Sequence, residues 1–139
     1  VRFIGDRRGL PQALVSSMEK IERESASNTG GIFVPAINYG GRDELVRAFR
    51  KIIEIGVHPS AMSESTITCH LDTARLADPD LIIRTAGEER LSGFLLWQAS
   101  YAEFYTSDKY WPDFSKKDFR RALKVYVSRE RRYGGDKAV

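Results

Sequence analysis

The chain has 139 residues, 42% of them hydrophobic and 29% charged, with a formal net charge of +3. That is enough for one compact domain with a buried core, and it excludes a compositionally disordered chain. One cysteine, Cys69, excludes an internal disulfide framework and fits a reducing cytoplasm; no apolar run approaches the roughly 20 residues of a membrane-spanning helix; and so mild a positive charge suits an anionic small ligand as well as it suits nucleic acid.

The opening VRFIGD reads as a short strand over Val1–Ile4 that ends at Gly5-Asp6. It has no methionine, so the chain is expected to begin inside a larger domain. Leu10, Leu14, Met18 and Ile21 fall at helical spacing and give one apolar stripe. Ser27-Asn28-Thr29-Gly30-Gly31 breaks the chain, and IFVPAINY over Ile32–Tyr39 predicts a buried strand, weakened by Pro35, which cannot donate to a ladder. After Gly40-Gly41 a helix is predicted from Arg42, with Leu45, Val46, Phe49, Ile52 and Ile53 on its apolar face and Gly56 as its stop. A short helix within a loop is expected over Ser63–Leu71. Leu81-Ile82-Ile83 is continuously apolar, as in a parallel strand covered on both faces. A helical turn over Phe94–Gln98 and a strand over Glu103–Thr106 follow. The last helix starts after Ser115, an N-cap with Asp118 three residues on, and Phe119, Leu123, Tyr126 and Val127 form its predicted buried face. Strands alternating with helices predict an α/β fold with a mostly parallel sheet flanked by helices.

In such folds ligands gather at the carboxyl ends of the strands. Arg84 emerges there, directly after Leu81-Ile82-Ile83, and the loop through Gly87 brings back Arg90 and Ser92. Two guanidinium forks and a hydroxyl suit a phosphate or diphosphate. Pairing of Arg84 and Arg90 with Glu88 and Glu89 on a solvated loop explains the same residues equally well.

The wider pattern separates these readings. DLIIRTAGEERLSGFLLWQ, then YAEFY, WPDF and RERRYGG, with INYGGRDEL upstream, closely resembles the cis-prenyltransferases, the family of undecaprenyl diphosphate synthase. The resemblance runs through essentially the whole chain, with the motifs in the family's order. It implies condensation of isopentenyl diphosphate with an allylic diphosphate to a cis-polyprenyl diphosphate, an undecaprenyl-like lipid carrier, in a Mg²⁺-dependent homodimer. It implies that Arg84, Arg90 and Ser92 hold the diphosphate of isopentenyl diphosphate, that Glu103 helps hold Mg²⁺, and that the Arg132-Tyr133-Gly134 tail reaches the partner's site in trans through Arg132 and Gly134. The four residues Arg84, Arg90, Ser92 and Glu103 are therefore expected around one diphosphate-sized space. A bland reading of Glu103 is a carboxylate paired to an arginine. Ala86 stands where the family usually has serine or glycine, which is tolerable unless the backbone there needs a positive φ.

The family's N-terminal Asp-Gly-Asn-Gly-Arg-Trp loop does not occur in this chain. Residues 1–139 are thus expected to be the C-terminal part of a single cis-prenyltransferase domain whose N-terminal portion is missing, and to be inactive alone; no catalytic residue is assigned. The enzyme is expected in the cytoplasm, with peripheral membrane association through its lipid product and no nucleic-acid partner. Two alternatives stand beside this. A non-catalytic partner subunit would keep the tail but tend to lose the arginine loop, which is intact here. An unrelated phosphate-binding α/β module would need a GxGxxG or GxxxxGK[ST] loop, and neither is present. Tyr39-Gly40-Gly41-Arg42 reads as a structural turn, Trp97, Trp111 and Phe114 as core or interface residues, and His58, Cys69 and His70 lack zinc-ligand spacing.

Overall fold

A computed structural model describes residues 1–130. The chain divides into two compact units, Val1–Ala77 and Asp78 onward.

The first unit is built on two helices. Helix α1 spans Gln12–Ser25 and α2 spans Gly41–Glu54; a short α3 covers Glu64–Thr68, capped by the Ser63 hydroxyl, which accepts from Thr66 N. The predicted strand over Val1–Ile4 is reduced to a parallel bridge between Ile4 and Ala36. Hydrogen bonds from Arg2 N to Phe33 O, Ile4 N to Pro35 O and Ile37 N to Ile4 O continue the contact on either side. The buried strand expected over Ile32–Tyr39 is corrected likewise: Ile32 and Phe33 are 63% and 70% exposed, and Pro35 has no N–H to extend the ladder. The core is Ile4, Met18, Ala48, Ile52 and Leu71.

Helix α2 buries Gly41, Glu44, Ala48 and Ile52, while Val46, Phe49 and Ile53 stay exposed. Of the predicted apolar face, Ile52 is buried and Leu45 half-buried, so the inward stripe overlaps it only in part. The inward stripe contains an acid because that acid is satisfied. Glu44 accepts from Tyr39 OH at 2.6 Å and from Asp72 N at 2.9 Å. Asp72 in turn receives both Arg47 amines at 2.7 Å and Gly5 N at 2.9 Å. Burial works to raise the Asp72 carboxyl, but the Arg47 fork outweighs it and the net displacement is downward. Gly56, in the left-handed region at φ +72, stops the helix as expected.

The second unit contains a two-stranded parallel sheet, β1 (Leu81–Arg84) beside β2 (Glu103–Thr106), in register Leu81–Glu103 through Arg84–Thr106. The crossover between the strands, residues 85–102, is a run of turns and not the usual helix; the helical turn expected over Phe94–Gln98 is present as one α-type bond, from Ala99 N to Leu95 O at 2.9 Å. Helix α4 (Lys116–Val127) starts at a reciprocal capping box: Ser115 Oγ accepts from Asp118 N, and the Asp118 carboxylate accepts from Ser115 N at 2.9 Å. Lys109 Nζ lies 2.8 Å from the same carboxylate and, with Ser115, holds it well below the usual carboxylate range. The predicted buried face of α4 is corrected in part: Ala122 is buried and Tyr126 half-buried, whereas Phe119, Leu123 and Val127 are exposed.

Candidate functional site

Arg84 is the last residue of β1 and so reaches the carboxyl edge of the parallel pair, where the sequence places it. The next turn is fixed by backbone geometry. Ala86 and Gly87 are both left-handed, at φ +61 and +65. Their N–H groups donate to Lys109 O at 2.7 Å and Ser107 O at 2.9 Å, while Ser107 N donates to Arg84 O at 2.8 Å. Three backbone bonds therefore fasten the start of the loop to the segment after β2, and the amides of Ala86 and Gly87 face protein.

The candidate side chains divide. The Arg84 Nε is buried and meets no hydrogen-bond acceptor among the described residues. A buried guanidinium donor without an acceptor costs roughly 1–3 kcal/mol, which an incoming anion oxygen removes. Arg90 extends from the surface, its side chain 71% exposed, and pairs with Glu88. That is the solvated ion pair the composition alone allows, and such pairs are weak enough for a diphosphate to displace. Ser92 is exposed and left-handed at φ +50.

Glu103 opens β2, with its own N–H bonded to Asp80 O at 2.9 Å. The register pairs it with Leu81, three residues before Arg84, about 10 Å along the strand. Side chains alternate across a strand, so Glu103 shares a face with Leu81 and Ile83, and Arg84 shares the other with Ile82. Within one chain the sheet does not bring Glu103 and Arg84 together around one diphosphate-sized space. Glu103 Oε2 accepts from Arg129 Nη1 at 2.7 Å, and that nitrogen also donates to Phe104 O at 2.9 Å. Oε1 accepts no hydrogen bond from the described residues. Sequence reasoning missed Arg129, because it reads as one of several charges at a helix end. The tail residues Arg132, Tyr133 and Gly134 lie outside the described residues.

A Mg²⁺ ion fits Glu103 as one ligand and not as a closed protein site. No three His, Cys, Asp or Glu side chains cluster suitably among the described residues. Mg²⁺ commonly takes one or two carboxylates and completes its shell with phosphate oxygens and water. The face shared by Leu81 and Ile83 also lines an open cleft of about 530 Å³ with Trp111, Phe114, Ser115, Lys116 and Phe119. Trp111 and Phe114 stack there with ring centroids 6.2 Å apart. Gly40 is the N-cap of α2, and its carbonyl accepts from Glu44 N at 2.8 Å.

Comparison with known proteins fits this layout. A family model described as "Putative undecaprenyl diphosphate synthase" matches residues 1–134. The isoprenyl transferase of Lactococcus lactis is 43% identical over 141 residues, covering 99% of this chain and 58% of that protein. That of Agrobacterium fabrum is 48% identical over 138 residues, covering 96% and 56%. The crystal structure of lavandulyl diphosphate synthase from Lavandula x intermedia, in complex with dimethylallyl diphosphate, superposes with a TM-score of 0.90 at 41% identity, over 96% of this chain and 59% of that one. A probable undecaprenyl diphosphate synthase from Campylobacter jejuni gives 0.86 at 37% identity, over 96% and 62%. The chain spans a little over half the length of these relatives. With that family model over residues 1–134 and relatives at 43% and 48% identity over nearly the whole chain, the chain belongs to the isoprenyl transferase family, that of undecaprenyl diphosphate synthase.

Proposed function

We propose that this chain holds isopentenyl diphosphate in an isoprenyl transferase that condenses it with an allylic diphosphate to give a cis-polyprenyl diphosphate. The observation that carries this reading is Arg84: a guanidinium at the carboxyl end of a parallel strand, its buried Nε without an acceptor among the described residues. Arg90 and Ser92 follow on the crossover loop, accessible to solvent. The solved neighbour carrying dimethylallyl diphosphate, itself an allylic diphosphate, supports the substrate class.

In the reaction the allylic carbon–oxygen bond breaks and diphosphate leaves. The isopentenyl double bond attacks that carbon, and a proton is lost from the new chain. No nucleophilic side chain is needed; the protein positions two chains and stabilises developing charge. Arg84 and Arg90 grip the isopentenyl diphosphate, and Ser92 donates to it. Bound Mg²⁺, with Glu103 as a ligand, would neutralise diphosphate charge.

The reading includes a two-fold homodimer. Phe94, Tyr101, Tyr110 and Trp111 are all more than a third exposed, a run of aromatics suited to an interface. The separation of Glu103 from Arg84 favours a carboxylate that serves a second copy's loop, together with Arg132 and Gly134. Product release places the enzyme at the cytoplasmic membrane surface; no helix among the described residues is long and apolar enough to cross a membrane.

The test is direct binding. Isopentenyl diphosphate titrated into the 139-residue chain is expected to shift the amide resonances of residues 84–92. Arg84→Ala should weaken that binding by about 1.5–3 kcal/mol, roughly 10- to 150-fold. Shifts elsewhere only, or an unchanged affinity in the variant, remove Arg84 from the site.

A further inference from the structure

We propose that Arg129 is the positioning residue of Glu103: it holds one carboxylate oxygen so that the other is presented to a divalent cation. This rests on the assignment of Glu103 as a cation ligand. It concerns a residue that the diphosphate-binding pattern does not include.

The geometry supplies three points. Arg129 Nη1 donates to Oε2 of Glu103 at 2.7 Å. The same nitrogen donates to the Phe104 carbonyl at 2.9 Å, so the guanidinium is anchored to β2 backbone and does not merely follow the carboxylate. Oε1 is left without a hydrogen bond among the described residues.

A free glutamate has three side-chain torsions to fix before it can ligate. A carboxylate pinned at one oxygen has fewer, and it is biased toward binding through a single oxygen, the mode that octahedral Mg²⁺ prefers. Ligating carboxylates are generally held by such outer partners, and losing one typically weakens metal binding about 10- to 100-fold. Lysine cannot copy the arrangement, because a single ammonium lacks the planar fork that sets angle as well as distance. Arg129 lies just past the end of α4, so the contact fastens the end of that helix to the start of β2, where Glu103 sits.

The experiment uses the 139-residue chain with Mn²⁺ and inorganic pyrophosphate as probes, reading bound Mn²⁺ by electron paramagnetic resonance. The unaltered chain is expected to bind Mn²⁺ in the presence of pyrophosphate, and Glu103→Gln to lose it. Arg129→Gln should weaken it about 10- to 100-fold, Arg129→Lys by an intermediate amount, and Glu103→Gln/Arg129→Gln no further than Glu103→Gln alone. If Arg129 only braced the end of α4, its loss would add to that of Glu103→Gln, and melting would fall without the graded Mn²⁺ effect. Mn²⁺ affinity unchanged in Arg129→Gln while Glu103→Gln abolishes it overturns the role of Arg129 and leaves Glu103 standing. Affinity unchanged in Glu103→Gln, or no Mn²⁺ bound by the unaltered chain, overturns both assignments.

Discussion

Replacing Ala86 by glycine should stabilise the chain, the reverse of what alanine-to-glycine changes usually do. Ala86 sits at φ +61, where its Cβ crowds the neighbouring carbonyl at a cost of about 1–2 kcal/mol. Glycine removes that cost and adds about 0.4–1 kcal/mol through the greater freedom of its unfolded chain. The Ala86 side chain is exposed, so its methyl gives up no core contact, and the bond from residue 86 N to Lys109 O is kept. The net expectation is a gain of about 0.5–1 kcal/mol. Urea denaturation would show it as a higher midpoint at unchanged slope. Ala122→Gly is the matched control: Ala122 is fully buried inside α4, so the same change there should lose about 1 kcal/mol. If Ala86→Gly lowers stability alongside Ala122→Gly, the loop is not strained at residue 86.

Other substitutions probe the first unit. A Cβ on Gly5 would lie 2.0 Å from the Ile37 carbonyl oxygen, at φ +114, so Gly5→Ala should cost about 3 kcal/mol; a loss below about 1 kcal/mol in urea contradicts that clash. Asp72→Asn removes the less exposed of two carboxylates paired with Arg47, Asp43 remaining at 2.7 Å, and should cost about 1.5–3 kcal/mol by the same measurement. The Asp72 carboxyl is held below its ordinary value of about 3.9, so the stability it contributes is complete above about pH 4 and drains away as pH falls through its folded pKa. Asp72→Asn should flatten that acid limb, and an unchanged pH profile would show that other carboxylates carry it. For assembly, light scattering is expected to report a dimer that Trp111→Ala weakens; a monomer throughout the micromolar range would remove the interface.

Local signals read well from sequence wherever one short segment decides its own conformation. Ser115 and Asp118 form the expected capping box, Gly56 ends α2, and Leu81–Arg84 and Glu103–Thr106 are strands. Burial did not read as well, because it depends on what lies opposite. The apolar stripe of Val46, Phe49 and Ile53 gave the helix but not its inward face, since hydrophobicity alone does not price a Glu44 carboxylate met by a tyrosine hydroxyl and a backbone amide. The same holds at the site. The place of Arg84 at a strand end was legible because it directly follows the apolar run Leu81–Ile83. The distance between Arg84 and Glu103 is set by strand register, which the two segments do not encode separately. Arg129 gave no signal, since its acceptors lie far back in the sequence at residues 103 and 104.

The crossover between β1 and β2 carries both Arg90 and Ser92 and has no helix of its own. Its internal backbone bonds are isolated turn bonds, such as Glu88 N to Thr85 O and Phe94 N to Leu91 O, and not a helical ladder to oppose the entropy of holding its ends at adjacent strands. A ligand gripping Arg84 on one side and the loop on the other would shoulder part of that burden. By mass action, a diphosphate at 100 times its dissociation constant adds about 2.7 kcal/mol to the folded state of this unit. The supply of that ligand would then govern how long the sheet survives heat, protease or denaturant.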